Sequence, residues 1–154
     1  MPTATPTPRT RKPRVFVDAD VLFAGSAAPS EHGASLVVLR MAEITLVEAY
    51  TCRQVILEAE RNLAAKLPEA LPAFRMIVAR CLRVVENPVE TELGAYTGLA
   101  DASDLPILVA AMKADCPWLV SFNLRHYRPG HPDVAVLRPG DFLLRVRDML
   151  ARLG

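Results

Sequence analysis

The chain has 154 residues, 51% of them hydrophobic and 23% charged, a balance that suits one globular domain and leaves no room for a second. Its formal net charge of +1 gives no whole-molecule field that would gather a polyanion, so any nucleic-acid surface has to be local. The three cysteines, Cys52, Cys81 and Cys116, are odd in number and form no Cys-x-x-Cys pair, which argues against a disulfide framework and a thiolate zinc site. No apolar run reaches the ~20 residues that span a bilayer, and no secretory signature is present. The expected location is the cytoplasm, with no membrane partner.

Residues 1–13 carry Pro2, Pro6, Pro8 and Pro13 among threonines and cations, which predicts a disordered basic tail ahead of a domain spanning 14–154. Val15-Phe16-Val17 is a β-branched and aromatic run that stops at Asp18-Ala19-Asp20, as a buried strand does on meeting a turn. Residues 32–42 place apolar side chains at helical spacing, 44–47 read as a second strand, and a helix over 51–66 halts near Pro68. A helix over 72–80, a strand over 81–85 and a short helical stretch from Pro88 follow. Residues 103–114 form a helix apolar on nearly every side, hence buried. Strands over 118–122 and 134–137 and an amphipathic helix over 141–153 close the chain. Short apolar strands alternating with helices predict a parallel sheet covered on both faces.

In such sheets ligands bind beyond the carboxyl ends of the strands, which draws attention to Asp18. Asp18 or Asp20 could equally cap the helix that follows. Asp101-Ala-Ser-Asp104 likewise approximates a capping box, although a carboxylate in the first helical turn is also well held as a ligand for a hard cation. In the helix over 51–66 an apolar stripe runs through Ile56, Ala59, Leu63 and Leu67, with Glu60 at its border and Glu58 well off it. Periodicity alone does not choose between the two acids.

Read together, four segments resemble the PIN-domain nuclease family, including its compact VapC-type bacterial toxins. The run VFVDADVL is similar to the family's first motif, an apolar strand followed by Asp-x-Asn-x-Leu, with Asp20 in place of the Asn. VILEAERNL is similar to the second, a Glu five residues before a Leu, which selects Glu58 before Leu63. DASDLPILVAAM resembles the third and maps onto Asp104, with Asp101 upstream. LVSFNLRHY resembles the fourth, a strand ending in a small hydroxyl residue, here Ser121, and carries Asn123 where many members have a carboxylate.

The resemblance implies a three-layer α/β/α fold around a central parallel sheet of four to five strands. It implies a Mg²⁺ or Mn²⁺ site and hydrolysis of RNA phosphodiester bonds by a metal-dependent endoribonuclease. Asp18 and Asp104 would bind the metal, Glu58 would act through water, and Asn123 would position. Asp20, Asp101 and Ser121 would support them. The partners implied are an RNA substrate, a small antitoxin protein and a second copy of the chain in a homodimer. Carboxylates suit this chemistry because a divalent cation supplies both the nucleophilic water and charge stabilisation. Arg61, Arg125, His126 and Arg128 are the cations expected to meet substrate phosphates.

Two other readings stand beside this one. The substitutions at Asp20 and Asn123 suit a non-catalytic RNA- or partner-binding protein that keeps the fold. Asp18-Ala-Asp20 also resembles the nucleophile and acid of haloacid dehalogenase-like phosphatases, but every lysine lies upstream of Ser121, against that family's motif order.

Overall fold

The computed structural model describes residues 12–28 and 33–153. Most of the expected tail, along with His32, lies outside the described residues. Five strands, β1 (Arg14–Val17), β2 (Glu48–Cys52), β3 (Leu82–Val85), β4 (Trp118–Val120) and β5 (Ala135–Leu137), form one sheet in the order β3-β2-β1-β4-β5. Every neighbouring pair is parallel. Seven helices are described: α1 (Ala19–Ser26), α2 (Ala34–Glu43), α3 (Arg53–Lys66), α4 (Leu71–Cys81), α5 (Glu90–Leu93), α6 (Leu105–Lys113) and α7 (Pro139–Ala151).

The layers follow from right-handed crossovers. From β1 the chain moves outward through β2 to β3, so α1 to α4 share one face, where α7 also packs on α2. From β3 it returns across the sheet to β4, which puts α5 and α6 on the opposite face. The result is the expected three-layer α/β/α sandwich. With both faces covered, central β1 has to be apolar beyond its first residue, Arg14, and Val15, Phe16 and Val17 are fully buried. The run Ile107 to Ala111 of α6 is buried likewise, as its all-round apolar character predicts.

The direction of travel reverses between β1 and β4, which pair directly through Val17 and Val120. Such a switch point leaves a crevice at the carboxyl ends of the two strands. That crevice holds the site.

Strand two falls later in the chain than the expected 44–47. Ile44 and Leu46 are exposed, and Thr45 adopts φ 66° in a turn. The observed strand contains Glu48 and Tyr50, and its polar groups are satisfied by distant partners: Arg14 Nε sits 3.1 Å from the Glu48 carboxylate, and Thr51 Oγ1 donates to the Val17 carbonyl. Those contacts outweigh the local preference for the more apolar segment.

Candidate functional site

Asp18 follows β1 immediately. Its Oδ1 accepts the Ala19 N–H at 2.8 Å at the start of α1, so it caps the helix while remaining inside the crevice. Its Oδ2 accepts two hydroxyls, Ser121 Oγ at 2.9 Å and Tyr127 OH at 2.7 Å. The carboxylate is buried and held from three directions.

Asp20, in the first turn of α1, is fixed through one oxygen. Its Oδ2 accepts the Phe122 N–H at 2.9 Å and Asn123 Nδ2 at 3.1 Å. Ser121 Oγ lies 3.3 Å from the same oxygen and also accepts the Asn123 N–H at 3.0 Å. Asp20 Oδ1 is buried with no hydrogen-bond partner. Burial, reinforced by the Asp18 carboxylate, pushes the Asp20 carboxyl up to about 6. Asn123, exposed just beyond β4, therefore ties the β4 end to α1 through its amide, a bond that a carboxylate at this position could form with the Asp20 carboxylate only by holding a proton.

Asp104 is the N-cap residue of α6, but its side chain makes no capping hydrogen bond. The expected capping box is not formed, because the helix starts at Leu105, with Pro106 in its first turn. The Asp104 carboxylate is thereby left to face the crevice, where His126 Nδ1 lies 3.2 Å from its Oδ2. Asp101, Asp104 and His126 each offer a ligand atom within 4.8 Å of the others. His126, expected as a phosphate contact, thus serves first as a neighbour of Asp104.

Glu58 approaches from α3. Burial on that helix centres on Val55, Ala59 and Leu63, while Ile56 and Leu67 are only partly covered. The helix is rotated relative to the stripe read from sequence, and this brings Glu58 to the crevice. Burial raises the Glu58 carboxyl, with Asp18 and then Asp104 adding to the shift and Arg61 and His126 opposing it. Asp104 is raised for the same reasons, burial first and Asp18 second. Asp18 is thus the charge that the other three acids feel.

These acids line a single cleft of 360 Å³, together with Asn123 and His126. Phe23, Asn62, Lys66 and Ser103 also line it, and none of the four is among the residues expected from sequence. The signal for two of them is present there: Glu58, Asn62 and Lys66 recur every four residues and so share one helix face. Arg61 borders an adjoining cleft that shares Glu58 and Asp104. Arg125 and Arg128 are exposed and line neither cleft. Tyr127 has no local signal, since its partner lies 109 residues away.

Carboxylates gathered at the switch point of a parallel three-layer sheet define an α/β protein with an acidic cleft. The chain belongs to the PIN-domain family, a family of nucleases, whose model matches residues 14–125. Among solved structures, a chain of VapBC2 from Rickettsia felis, bound to a DNA fragment from its promoter, superposes with a TM-score of 0.59 at 13% identity, over 81% of this chain and 98% of the other. VapC20 of Mycobacterium tuberculosis, a sarcin-ricin-loop-cleaving toxin, gives a TM-score of 0.49 at 16% identity, over 68% and 86%. No curated protein matches the sequence. No helix among the described residues is long and apolar enough to cross a membrane.

Proposed function

We propose that this protein, as a single domain over 14–154, is a divalent-metal-dependent endoribonuclease that works in the cytoplasm. The observation that carries the proposal is the convergence of Asp18, Glu58 and Asp104, from three separate segments, on one cleft. Carboxylates gathered in one cleft repel one another and are costly to ionise together, and Asp18 raises its acidic neighbours.

The donor set fits a hard cation. Asp20 Oδ1 is a buried oxygen lacking a proton donor, and such an atom calls for a proton or an ion. Asp18 and Asp104 would hold the ion, which we take to be Mg²⁺ or Mn²⁺, with Glu58 close behind. When bound, such an ion lowers the pKa of a coordinated water and offsets charge on phosphoryl oxygens. The protein's own groups do the rest. Ser121 and Tyr127 fix the orientation of Asp18, Asn123 locks Asp20 to the β4 end, and Glu58, which lines the same cleft, would orient an attacking water. His126, beside Asp104, can carry a proton at Nε2 towards the departing oxygen.

By fold likeness to a VapBC2 chain, the further proposal is that this nuclease is the toxin of a toxin-antitoxin pair, inhibited by a small partner protein and assembled as a homodimer. The decisive experiment compares cleavage of single-stranded RNA by wild type and Asp104→Asn with Mg²⁺, with Mn²⁺ and with chelator. Cleavage that needs the metal and is lost in the variant supports the reading. Equal residual activity in both proteins would sink it in favour of a non-catalytic binding protein.

A further inference from the structure

The cleft is chemically two-ended. At one end stand the carboxylates. Along α3, from Glu58 to Lys66, the same helix face runs for about 12 Å at 1.5 Å per residue and changes from anionic through the Asn62 amide to a cation. Phe23, one turn beyond Asp20 on α1, closes that far end. Its ring is partly buried against the core, it lines the cleft, and Lys66 Nζ sits 5.9 Å from its centroid.

An aromatic face, an amide and an ammonium side by side are the groups that take a base by stacking, its edge by hydrogen bonding and its phosphate by charge. The geometry points to a single-nucleotide subsite formed by Phe23, Asn62 and Lys66, which receives one unpaired base next to the bond being cut and restricts the substrate to single-stranded RNA. This rests on the nuclease reading above. Lys66 exchanges its weak contact with the Phe23 ring for a phosphate, worth more to a cation, and leaves the ring to the base. A duplex cannot use the subsite, because its bases are already stacked on one another.

The test is fluorescence anisotropy with a short labelled single-stranded RNA and with the blunt duplex of the same sequence, both in chelator so that neither is cut. Phe23→Leu keeps apolar packing but removes the stacking face, and is expected to weaken single-strand binding roughly 5- to 100-fold while leaving duplex binding unchanged. Phe23→Trp should bind at least as tightly as wild type. It guards against a folding artefact, as does equal thermal stability of the variants. Lys66→Gln should lower the slope of log affinity against log salt by about 0.7, one phosphate contact. Wild-type affinity in Phe23→Leu, or an equal loss on duplex, overturns the subsite. Cleavage of the same RNA in Mn²⁺ separates the two claims. No cleavage by wild type, with binding that depends on Phe23, removes the nuclease and leaves the subsite. Normal cleavage with an unchanged KM in Phe23→Leu does the reverse.

Discussion

The Tyr127 hydroxyl donates a 2.7 Å hydrogen bond to Asp18 Oδ2, and both side chains are buried. Burial is the largest cause that raises the phenol, and the surrounding acids raise it further, so it remains a donor at any working pH. A buried carboxylate that loses a donor leaves charge unsatisfied, at a cost of about 1–3 kcal/mol. Tyr127→Phe, which keeps the ring, should lose that much in urea unfolding. An unfolding midpoint equal to wild type would show that the bond contributes nothing.

The glycine three residues beyond Tyr127 leaves no space for a side chain against the Tyr127 backbone. Gly130 has φ 79°, and a Cβ there would lie 2.9 Å from the Tyr127 carbonyl oxygen. The Gly130 N–H also donates to the Leu99 carbonyl at 2.7 Å. Gly130→Ala should therefore destabilise by about 1–3 kcal/mol, through an unfavourable backbone conformation and a backbone clash together. Gly94→Ala meets nothing within 4 Å and has no such φ, and should be close to neutral when the two variants are compared with wild type by urea unfolding.

Asp20 gives a pH dependence with a definite sign. Its folded-state carboxyl is raised from 3.8 to about 6, so ionisation is harder in the folded protein than in the unfolded chain. In the absence of metal, stability is fullest below 3.8 and is lost as pH rises through about 6. Asp20→Asn removes that charge. The melting temperature of the variant relative to wild type, measured in chelator, should rise between pH 3.8 and neutrality. A difference that stays flat across this window would contradict the raised Asp20 carboxyl.

Excess Mg²⁺ or Mn²⁺ should relieve the same repulsion. At a concentration 100 times the dissociation constant, binding to the folded state alone adds about 2.7 kcal/mol. The wild-type melting temperature should rise accordingly in differential scanning fluorimetry, and the rise should be much smaller in Asp104→Asn. An equal shift in both proteins would mean that the ion binds elsewhere.

How much of the fold and the site is legible in the sequence depends on how local each feature is. The apolar run ending at Asp18 encodes a buried strand followed by a polar end, because burial on both faces demands the one and the carboxyl edge of a parallel sheet permits the other. The buried α6 follows from its all-round apolar character. Strand two escapes a local reading because its polar residues are compensated by Arg14 and other distant groups, which no local pattern records.

The four motif segments, and with them the family and the three-layer fold, were determined by the sequence alone, since they rest on short-range spacing and order. Motif spacing already selects Glu58 over Glu60, but only the tertiary structure decided that the face of α3 carrying Glu58 meets the cleft and that Asn62 and Lys66 line it too. Only the structure joined Asp18 to Ser121 and Tyr127, paired Asp104 with His126, and left Arg125 and Arg128 away from the acids. The physical reason is the same in each case. Periodicity reports which face of an element is buried, whereas hydrogen bonds spanning 103 and 109 positions arise only when the crossovers of the sheet bring those segments together.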